Sequence, residues 1–170
     1  MTATPNATLL SILEHYQPAR LLCVSQSRIP AVEAFCAAHG ATRLTLSDQV
    51  PLPEAVANQR YDLAIIADQL EHLPQRLGVE LLAGLRNLSA SRLAVLVDLK
   101  QTPTWQENDF FALALQRHAS FTQSGDEDVG ANHKRTLALY TYDLADYKQV
   151  PDWLNAKYWA NPENFDKYWW

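Results

Sequence analysis

Two near-continuous apolar runs constrain the fold of this chain more than any other feature of its sequence. They are "YDLAIIA", residues 61–67, and "RLAVLVDL", residues 92–99. Apolar runs that do not alternate with polar residues are typical of strands covered on both faces, as in parallel sheets flanked by helices. A leucine stripe at helical spacing lies between them and consists of Leu77, Leu81, Leu85 and Leu88. The sequence therefore predicts an α/β protein.

The residues before these runs continue the alternation of helix and strand. An amphipathic helix opens the chain, and Pro18 ends it; its apolar positions are Leu9, Ile12, Leu13 and Tyr16. "RLLCV", residues 20–24, and "TRLTLS", residues 42–47, are predicted strands. The helix between them begins near Pro30, and we expect Gly40 to form its C-terminal cap. Residues 50–60 are predicted to be a proline-marked connection with at most a short helix.

The residues after the second apolar run predict a helix and then a hairpin. The helix is expected from about Glu107 to His118, with four inward side chains, namely Phe110, Phe111, Ala114 and Leu115. "SFTQSG" and "RTLALYTYDL" follow without a helix between them, so they predict an antiparallel pair of strands. The expected sheet is mostly parallel with one antiparallel strand.

Composition limits the classes of function. With 170 residues, 48% of them hydrophobic and 19% charged, the chain is expected to form one globular domain over residues 1–150. A net charge of −5 argues against a broad nucleic-acid surface, and no apolar run is long enough to cross a bilayer. Two cysteines, Cys23 and Cys36, are too few for a disulfide framework, so we expect a reducing, cytoplasmic setting.

The order of elements resembles that of the class I S-adenosylmethionine-dependent methyltransferase-like superfamily, whose sheet ends in such a hairpin. "YDLAIIADQLEHLP", residues 61–74, is similar to the family's fourth strand and following turn. "LLAGLRNLSASRLAVLVDL" resembles the next helix and fifth strand, and "LALQRHASFTQ" resembles the helix leading into the sixth strand. The resemblance covers residues 18–145. It implies a Rossmann-like three-layer sandwich, in a degenerate member from a bacterial family of unknown function.

The turn after the first strand departs from the family pattern. In active members this strand ends in an acidic residue and a Gly-x-Gly turn, because the backbone must approach the cofactor closely. Here the acidic position holds Cys23 or Ser25, and residues 19–39 contain no glycine. The candidate cofactor-binding or anion-binding residues on this turn are Ser25, Ser27 and Arg28. The alternative is an ordinary serine-rich turn that caps the next helix.

The middle of the chain is shorter than the family pattern. The family places two strand–helix units between its first and fourth strands, whereas only "TRLTLS" fits here. One unit that helps to hold ribose and adenine is therefore shortened or missing. Asp48 is the candidate for a carboxylate that binds ribose hydroxyls or lies near adenine. The alternative is that Asp48 starts a turn before Pro51.

Three polar residues follow the best-matched strand at its carboxyl end, where ligands bind in open α/β sheets. If the chain is catalytic, Asp68 or Glu71 would orient a substrate amine or hydroxyl, and His72 would act as a base. The alternative is helix initiation, with Asp68 as the cap and Glu71 three residues later. The histidines are scattered and no metal-ligand spacing occurs, so we expect no metal site.

Residues 151–170, "PDWLNAKYWANPENFDKYWW", form an aromatic segment beyond the expected hairpin. Four of the five tryptophans of the chain lie in it. Large aromatic side chains bury apolar area and are enriched at interfaces. The alternatives predicted for this segment are that it packs on the domain, that it lies over the cleft, that it mediates self-association, or that it docks on an unknown protein partner.

Three hypotheses for function remain open. The first is a methyltransferase-like protein that has lost the usual cofactor binding and acts by binding a ligand or partner. The second is a diverged S-adenosylmethionine-dependent methyltransferase with an unknown substrate. The third is a protein that binds a small phosphorylated ligand at Ser25, Ser27 and Arg28. No cofactor is expected under the first hypothesis, and S-adenosylmethionine is expected under the second.

Overall fold

A computed structural model describes residues 4–123 and 135–147, and within them one six-stranded sheet. The strands are β1 Arg20–Val24, β2 Arg43–Ser47, β3 Leu63–Ala67, β4 Arg92–Asp98, β5 Gln116–Gln123 and β6 Arg135–Asp143. Their order across the sheet is β2-β1-β3-β4-β6-β5. β1 to β4 are mutually parallel, and β6 is antiparallel to both β4 and β5. The mostly parallel sheet with a C-terminal antiparallel hairpin is thus confirmed.

Helices cover both faces of this sheet. They are α1 Pro5–Tyr16, α2 Pro30–Ala38, α3 Glu54–Ala57, α4 Gln75–Gly84, α5 Glu107–Ala112 and α6 Leu144–Tyr147. α1 and α2 pack on one face, where Phe35 and Leu13 are fully buried. α4 and α5 pack on the other, where the ring of Trp105 stacks on that of Phe110 with centroids 4.8 Å apart. The three layers predicted from the doubly buried strands are present.

The apolar runs form the centre of the sheet because both of their faces are covered. All five residues of β3 are buried, and β4 pairs with it from Ala64↔Leu93 to Ala67↔Leu96. β2, by contrast, is an edge strand whose residues are exposed or half-buried. Residues 48–62, all of which the structure describes, contain only the four-residue helix α3 before β3. The predicted shortening of one strand–helix unit is therefore confirmed.

The predicted helix over residues 107–118 is wrong beyond Ala112. Ala114 takes a left-handed φ of 64°, which reverses the chain. Residues from Gln116 onward pair with β6 instead, beginning at Gln116↔Thr141. Phe111, expected to point inward, is 48% exposed. Sheet pairing determines this boundary, and the local helical pattern does not.

The leucine stripe of α4 also departs from the prediction at its C-terminal end. After Gly84 the helix widens into a π-turn, Leu85–Ser89, in which the Ala90 N–H donates to the Leu85 carbonyl. The wider winding changes the direction of the following side chains. Leu88 consequently lies 70% exposed, whereas Leu82 is fully buried.

Local sequence signals predicted one of two helix ends correctly. α1 ends at Tyr16, before Pro18, as predicted, with Gln17 in a left-handed cap. The cap of α2 is His39, and Gly40 does not take a positive φ, so the predicted glycine cap is wrong. In the part of the chain that the structure describes, no helix has the length and hydropathy needed to span a membrane. The aromatic segment 151–170 lies outside the described residues.

Candidate functional site

The candidate residues meet at the carboxyl edge of the parallel strands. The loop after β1 (residues 25–29) and the loop after β3 (residues 68–69) lie side by side, because β1 and β3 are neighbours in the sheet. The chain runs from β1 outward to β2 and then returns to β3 on the other side. This reversal of strand order is the topological switch point, at which open α/β sheets bind ligands. We call the gap between the two loops the switch-point crevice.

The turn after β1 takes a conformation that does not need glycine. None of residues 25–28 has a positive φ. The Ser27 N–H donates to Ser25 Oγ at 3.2 Å, so the Ser25 hydroxyl stabilises the turn itself. The N-cap of α2 is Ile29, which makes no side-chain capping bond. The alternative of a serine cap on this helix is therefore wrong.

Gln26 bridges the switch-point crevice. Its backbone N–H donates to the Asp68 carbonyl at 3.4 Å. Its side-chain Nε2 donates to the Asp48 carbonyl at 2.7 Å and to Gln69 Oε1 at 3.1 Å. Gln69 is 1% exposed, so the bridge satisfies a buried polar atom. One side chain from the loop after β1 thereby links the ends of β2 and β3 across the gap.

Asp48 and Arg28 lie on either side of this turn. Asp48 is exposed just beyond β2, and the turn bond there comes from Ser47 Oγ, which accepts the Gln49 N–H at 3.4 Å. The Arg28 side chain is 90% exposed and its Nε lies 3.7 Å from Glu33 Oε1. Asp48 and Arg28 both line a cavity of about 380 Å³ on the β2 side of the turn. Ser25, Ser27 and Arg28 share this cavity, and a phosphorylated ligand there stays a prediction.

Asp68 and His72 form a pair on the loop after β3. Asp68 takes a left-handed φ of 46°, which Asp tolerates better than most residues. His72 Nε2 lies 2.9 Å from Asp68 Oδ1, and both side chains are about half exposed. Gln69, rather than Asp68, precedes the short 3₁₀ turn Leu70–His72, and α4 begins only at Gln75. The capping alternative for Asp68 and Glu71 is therefore wrong.

Glu71 is held against the end of β4. Its Oε1 accepts the Asp98 N–H at 2.7 Å, while its buried Oε2 has no hydrogen-bond partner among the described residues. Burial raises the pKa of the Glu71 carboxyl, and the nearby Asp68 and Asp98 carboxylates raise it further, although the Asp98 N–H opposes them. A carboxyl with one bonded and one free oxygen can accept a proton or a donor from a ligand.

These carboxyl groups line a cavity of about 460 Å³ on the α1 and α2 face, which we call the polar cavity. Its lining includes Asp68, Glu71 and Asp98, of which Asp98 is only 4% exposed. Arg28 and Arg135 also line it, and both are exposed. The interior is therefore acidic and the rim is cationic. Ser27 and Arg28 line both cavities, so the turn after β1 separates them.

The sequence predictions found part of this site. Asp68, Glu71, Ser27 and Arg28 do meet at the polar cavity, whereas His72 reaches the site only through Asp68. The roles of three further residues were missed, namely Gln26, Gln69 and Asp98. Asp98 ends a buried strand, so the rule that selected Asp68 would have selected it too. No local signal identifies Gln26, because its partners lie 22 and 43 residues away.

Neither thiol chemistry nor metal binding is indicated at this edge. Burial raises the pKa of the Cys23 thiol to about 12, so it stays protonated and is a poor nucleophile. Within residues 4–123 and 135–147, no group of three or more His, Cys, Asp or Glu side chains has an arrangement that could hold a metal ion.

The turn after β1 differs from the glycine turn through which the fold family would hold its sulfonium nucleotide. That cofactor requires backbone free to approach it at the turn after β1. Here the Gln26 residue is exposed on this turn, and its side chain hydrogen-bonds to both neighbouring loops.

Several solved methyltransferase structures share the fold. The methyltransferase domain of bacterial CtHen1-C superposes with a TM-score of 0.54 at 9% identity, covering 81% of this chain and 96% of that one. The 1,6-didemethyltoxoflavin-N1-methyltransferase of Burkholderia thailandensis gives 0.52 at 16% identity, with coverage of 81% and 78%. The magnesium protoporphyrin IX methyltransferase of Synechocystis gives 0.50 at 14% identity, with coverage of 81% and 79%. At these identities the similarity establishes a methyltransferase-like, Rossmann-like fold and nothing finer.

Sequence comparison gives the family. A search of curated proteins finds no match to this chain. The model of a family of unknown function, DUF6231, matches residues 3–170, which is nearly the whole chain. The chain therefore belongs to the DUF6231 family and has a methyltransferase-like fold.

Proposed function

We propose that this protein binds a small polar ligand in the polar cavity and does not transfer methyl groups. The observation that carries the proposal is the Gln26 bridge, which joins the ends of β2 and β3 where the fold family binds its cofactor. A satisfied hydrogen-bond network that includes the buried Gln69 is costly to open. The chain's own side chain thus replaces the cofactor at the crevice, while the neighbouring cavity stays open.

The lining of the polar cavity favours a ligand that donates hydrogen bonds. Glu71 Oε2 is buried without a described partner, and Asp98 lies beside it at 4% exposure. A primary amine or amidine would satisfy Glu71 by a charge-assisted hydrogen bond. Arg28 and Arg135 at the rim would attract an anionic group on the same molecule. The preferred ligand class is therefore a small amine, with or without an acidic group.

Calorimetric titration with S-adenosylmethionine and S-adenosylhomocysteine tests the absence of cofactor binding. We expect no saturable heat from the wild-type protein up to millimolar ligand. The Gln26→Gly variant, which removes the bridge and restores a small residue, tests the stated cause, and we expect its affinity to exceed that of the wild type. Micromolar binding by the wild-type protein would overturn the proposal.

A thermal-shift panel of small amines, amidines and carboxylates tests the ligand site. We expect amines to raise the Tm of the wild-type protein, and we expect Glu71→Gln to remove most of that rise. Arg76→Gln is the matched control, because Arg76 is exposed and its one ion pair within the described part of the chain is with Glu80 on α4. Stabilisation by carboxylates alone, or an amine effect that survives Glu71→Gln, would contradict the assignment.

A diverged S-adenosylmethionine-dependent methyltransferase is the second candidate. The observation that favours it is that open cavities of about 460 and 380 Å³ flank the turn after β1. Two of the similar structures contain S-adenosylhomocysteine or S-adenosylmethionine. The calorimetric titration separates the two candidates, because only this one requires the wild-type protein to bind either compound.

A further inference from the structure

A third cavity lies at the amino edge of the parallel strands, opposite the candidate site. It has a volume of about 530 Å³, and we call it the arginine cavity. Its lining comes from the starts of β1, β3 and β4 and from the π-turn after α4. Three arginines line it, namely Arg20, Arg60 and Arg86. The proposed ligand site does not use any of them.

The charge of the arginine cavity is poorly balanced. Asp62 is the one carboxylate that the described residues contribute to its lining, and its Oδ2 already accepts the N–H groups of Ala19 and Arg20. Arg60 makes no side-chain hydrogen bond or ion pair with any described residue, and it is exposed. Among the described residues, Arg86 donates only to its neighbour Asn87, at 3.0 Å. Two guanidinium groups are thus available for another partner.

The same cavity presents apolar surface beside these arginines. Leu88 is 70% exposed at its rim, because the π-turn directs this side chain outward. Tyr142, Tyr61 and Ala90 contribute nearly buried surface to its floor. Guanidinium groups next to apolar surface suit aromatic rings, since arginine stacks on tryptophan while the ring edge packs on aliphatic carbons.

One segment of this chain matches that chemistry and begins nearby. Residues 151–170 include four tryptophans, two tyrosines and a phenylalanine. The chain reaches them from α6, whose Leu144 lines the arginine cavity and donates its N–H to the Ser91 carbonyl at 2.9 Å. A short tether gives an attached segment an effective concentration in the millimolar range. The segment therefore needs only weak contacts to occupy this cavity in preference to a free partner.

We propose that the aromatic segment 151–170 docks in the arginine cavity of its own chain, with tryptophan rings on the guanidinium groups of Arg60 and Arg86. Docking there covers Leu88 and gives the two arginines partners. It also places the segment at the edge of the sheet opposite the polar cavity, so the segment leaves the ligand site open.

Tryptophan fluorescence of the full chain tests the proposal, because four of five tryptophans belong to the segment and the fifth, Trp105, is 5% exposed. We expect blue-shifted emission that acrylamide quenches weakly. The double variant Arg60→Ser, Arg86→Ser should weaken docking by about tenfold, which shifts emission to the red and raises the quenching constant. The double variant with lysine at both positions keeps the charge and should recover only part of the docking.

The matched control is the double variant Arg28→Ser, Arg76→Ser, which removes two charges from side chains that are 90% and 88% exposed elsewhere. It should leave emission and quenching unchanged. Circular dichroism verifies that each variant is folded. Strong quenching of the wild-type protein, or an equal response of the control, would overturn the proposal. Light scattering tests whether the segment docks on a second copy of the chain instead. A dimer that the Arg60 and Arg86 substitutions dissociate would assign the segment to the second copy and would also overturn the proposal.

Discussion

The two halves of the carboxyl edge differ in how their polar groups are satisfied. At the ends of β1 and β2, Gln26 and the serines bond to neighbouring backbone and side-chain atoms. At the ends of β3 and β4, Glu71 is buried against Asp98, and its Oε2 has no hydrogen-bond partner among the described residues. We call the first half closed because the Gln26 bridge joins its loops, beside the cavity of about 380 Å³. We call the second half open because its acidic side chains line the polar cavity.

Under the proposed function, this difference explains how a fold can lose one ligand and keep another. Closing the switch-point crevice needs only one amide side chain, because the loops after β1 and β3 are already adjacent. The central strands β1 and β3, which carry the two adjacent loops, are both buried, so the scaffold is unaffected. Function in this fold therefore depends on the loops at the strand ends, as the architecture alone does not specify chemistry.

The largest expected effect concerns the packing that positions the open half. A Cβ at Gly78 on α4 would lie 2.7 Å from the Trp105 ring and 3.1 Å from Leu70, the residue before Glu71. Gly78→Ala should destabilise the fold by about 1–3 kcal/mol, despite the better helix propensity of alanine. Gly84→Ala is the control, because no atom lies within 4 Å of its added Cβ. Urea unfolding measures the free energy of unfolding of both variants. Equal stability of Gly78→Ala and Gly84→Ala would show that Gly78 is not tightly packed.

The next effect tests the closed half. Gln26→Ala leaves Gln69 Oε1 without the Gln26 amide, so we expect a loss of about 1–2 kcal/mol. Ser27→Ala on the same turn should change the free energy of unfolding by less than about 0.5 kcal/mol, since the turn bond uses the Ser27 backbone and not its hydroxyl. Thermal unfolding distinguishes them. If the two substitutions cost the same, the bridge does not stabilise the loops.

A pH-dependent effect tests the open half. The pKa of Glu71 is raised above its usual value of 4.5 in the folded protein. The wild-type protein therefore loses stability, relative to Glu71→Gln, as pH rises through that raised pKa. We expect Glu71→Gln to be the more stable protein at neutral pH and the two proteins to be equally stable near pH 4. Chemical unfolding at several pH values measures the difference, and a gap that widens toward acid would have the wrong sign.

The smallest effect concerns the pair on the loop after β3. Asp68 and His72 are about half exposed, so solvent screens their interaction. A double-mutant cycle of Asp68→Asn and His72→Gln should give a coupling energy below about 1 kcal/mol. A much larger coupling would show that this pair, and not Glu71, dominates the open half.

The sequence alone predicted the parts of the fold that depend on burial. The apolar runs of β3 and β4 indicate strands covered on both faces, and they lie where predicted. The helix predicted to reach His118 ends at Ala112, because pairing of Gln116 with β6 overrides local propensity. Pattern reasoning cannot weigh such a non-local pairing against a local helix.

The candidate site likewise has features that the sequence predicted and features that it did not. Asp68 and Glu71 were found because they follow a buried strand, a feature visible along the chain. Their contacts were not predicted, because the hydrogen bond between Glu71 and Asp98 depends on β3 and β4 being neighbours in the sheet. The role of Gln26 requires three strand ends to be placed side by side before it can be recognised.

The side-chain amide resonances of Gln26 provide the sharpest test of whether the Gln26 bridge keeps the nucleotide out of the switch-point crevice. In a ¹H–¹⁵N spectrum, assigned with the Gln26→Ala variant, we expect these amide resonances not to shift when excess S-adenosylhomocysteine is added. A saturable shift at micromolar S-adenosylhomocysteine would show that the nucleotide enters the crevice, and the proposed loss of cofactor binding would be wrong.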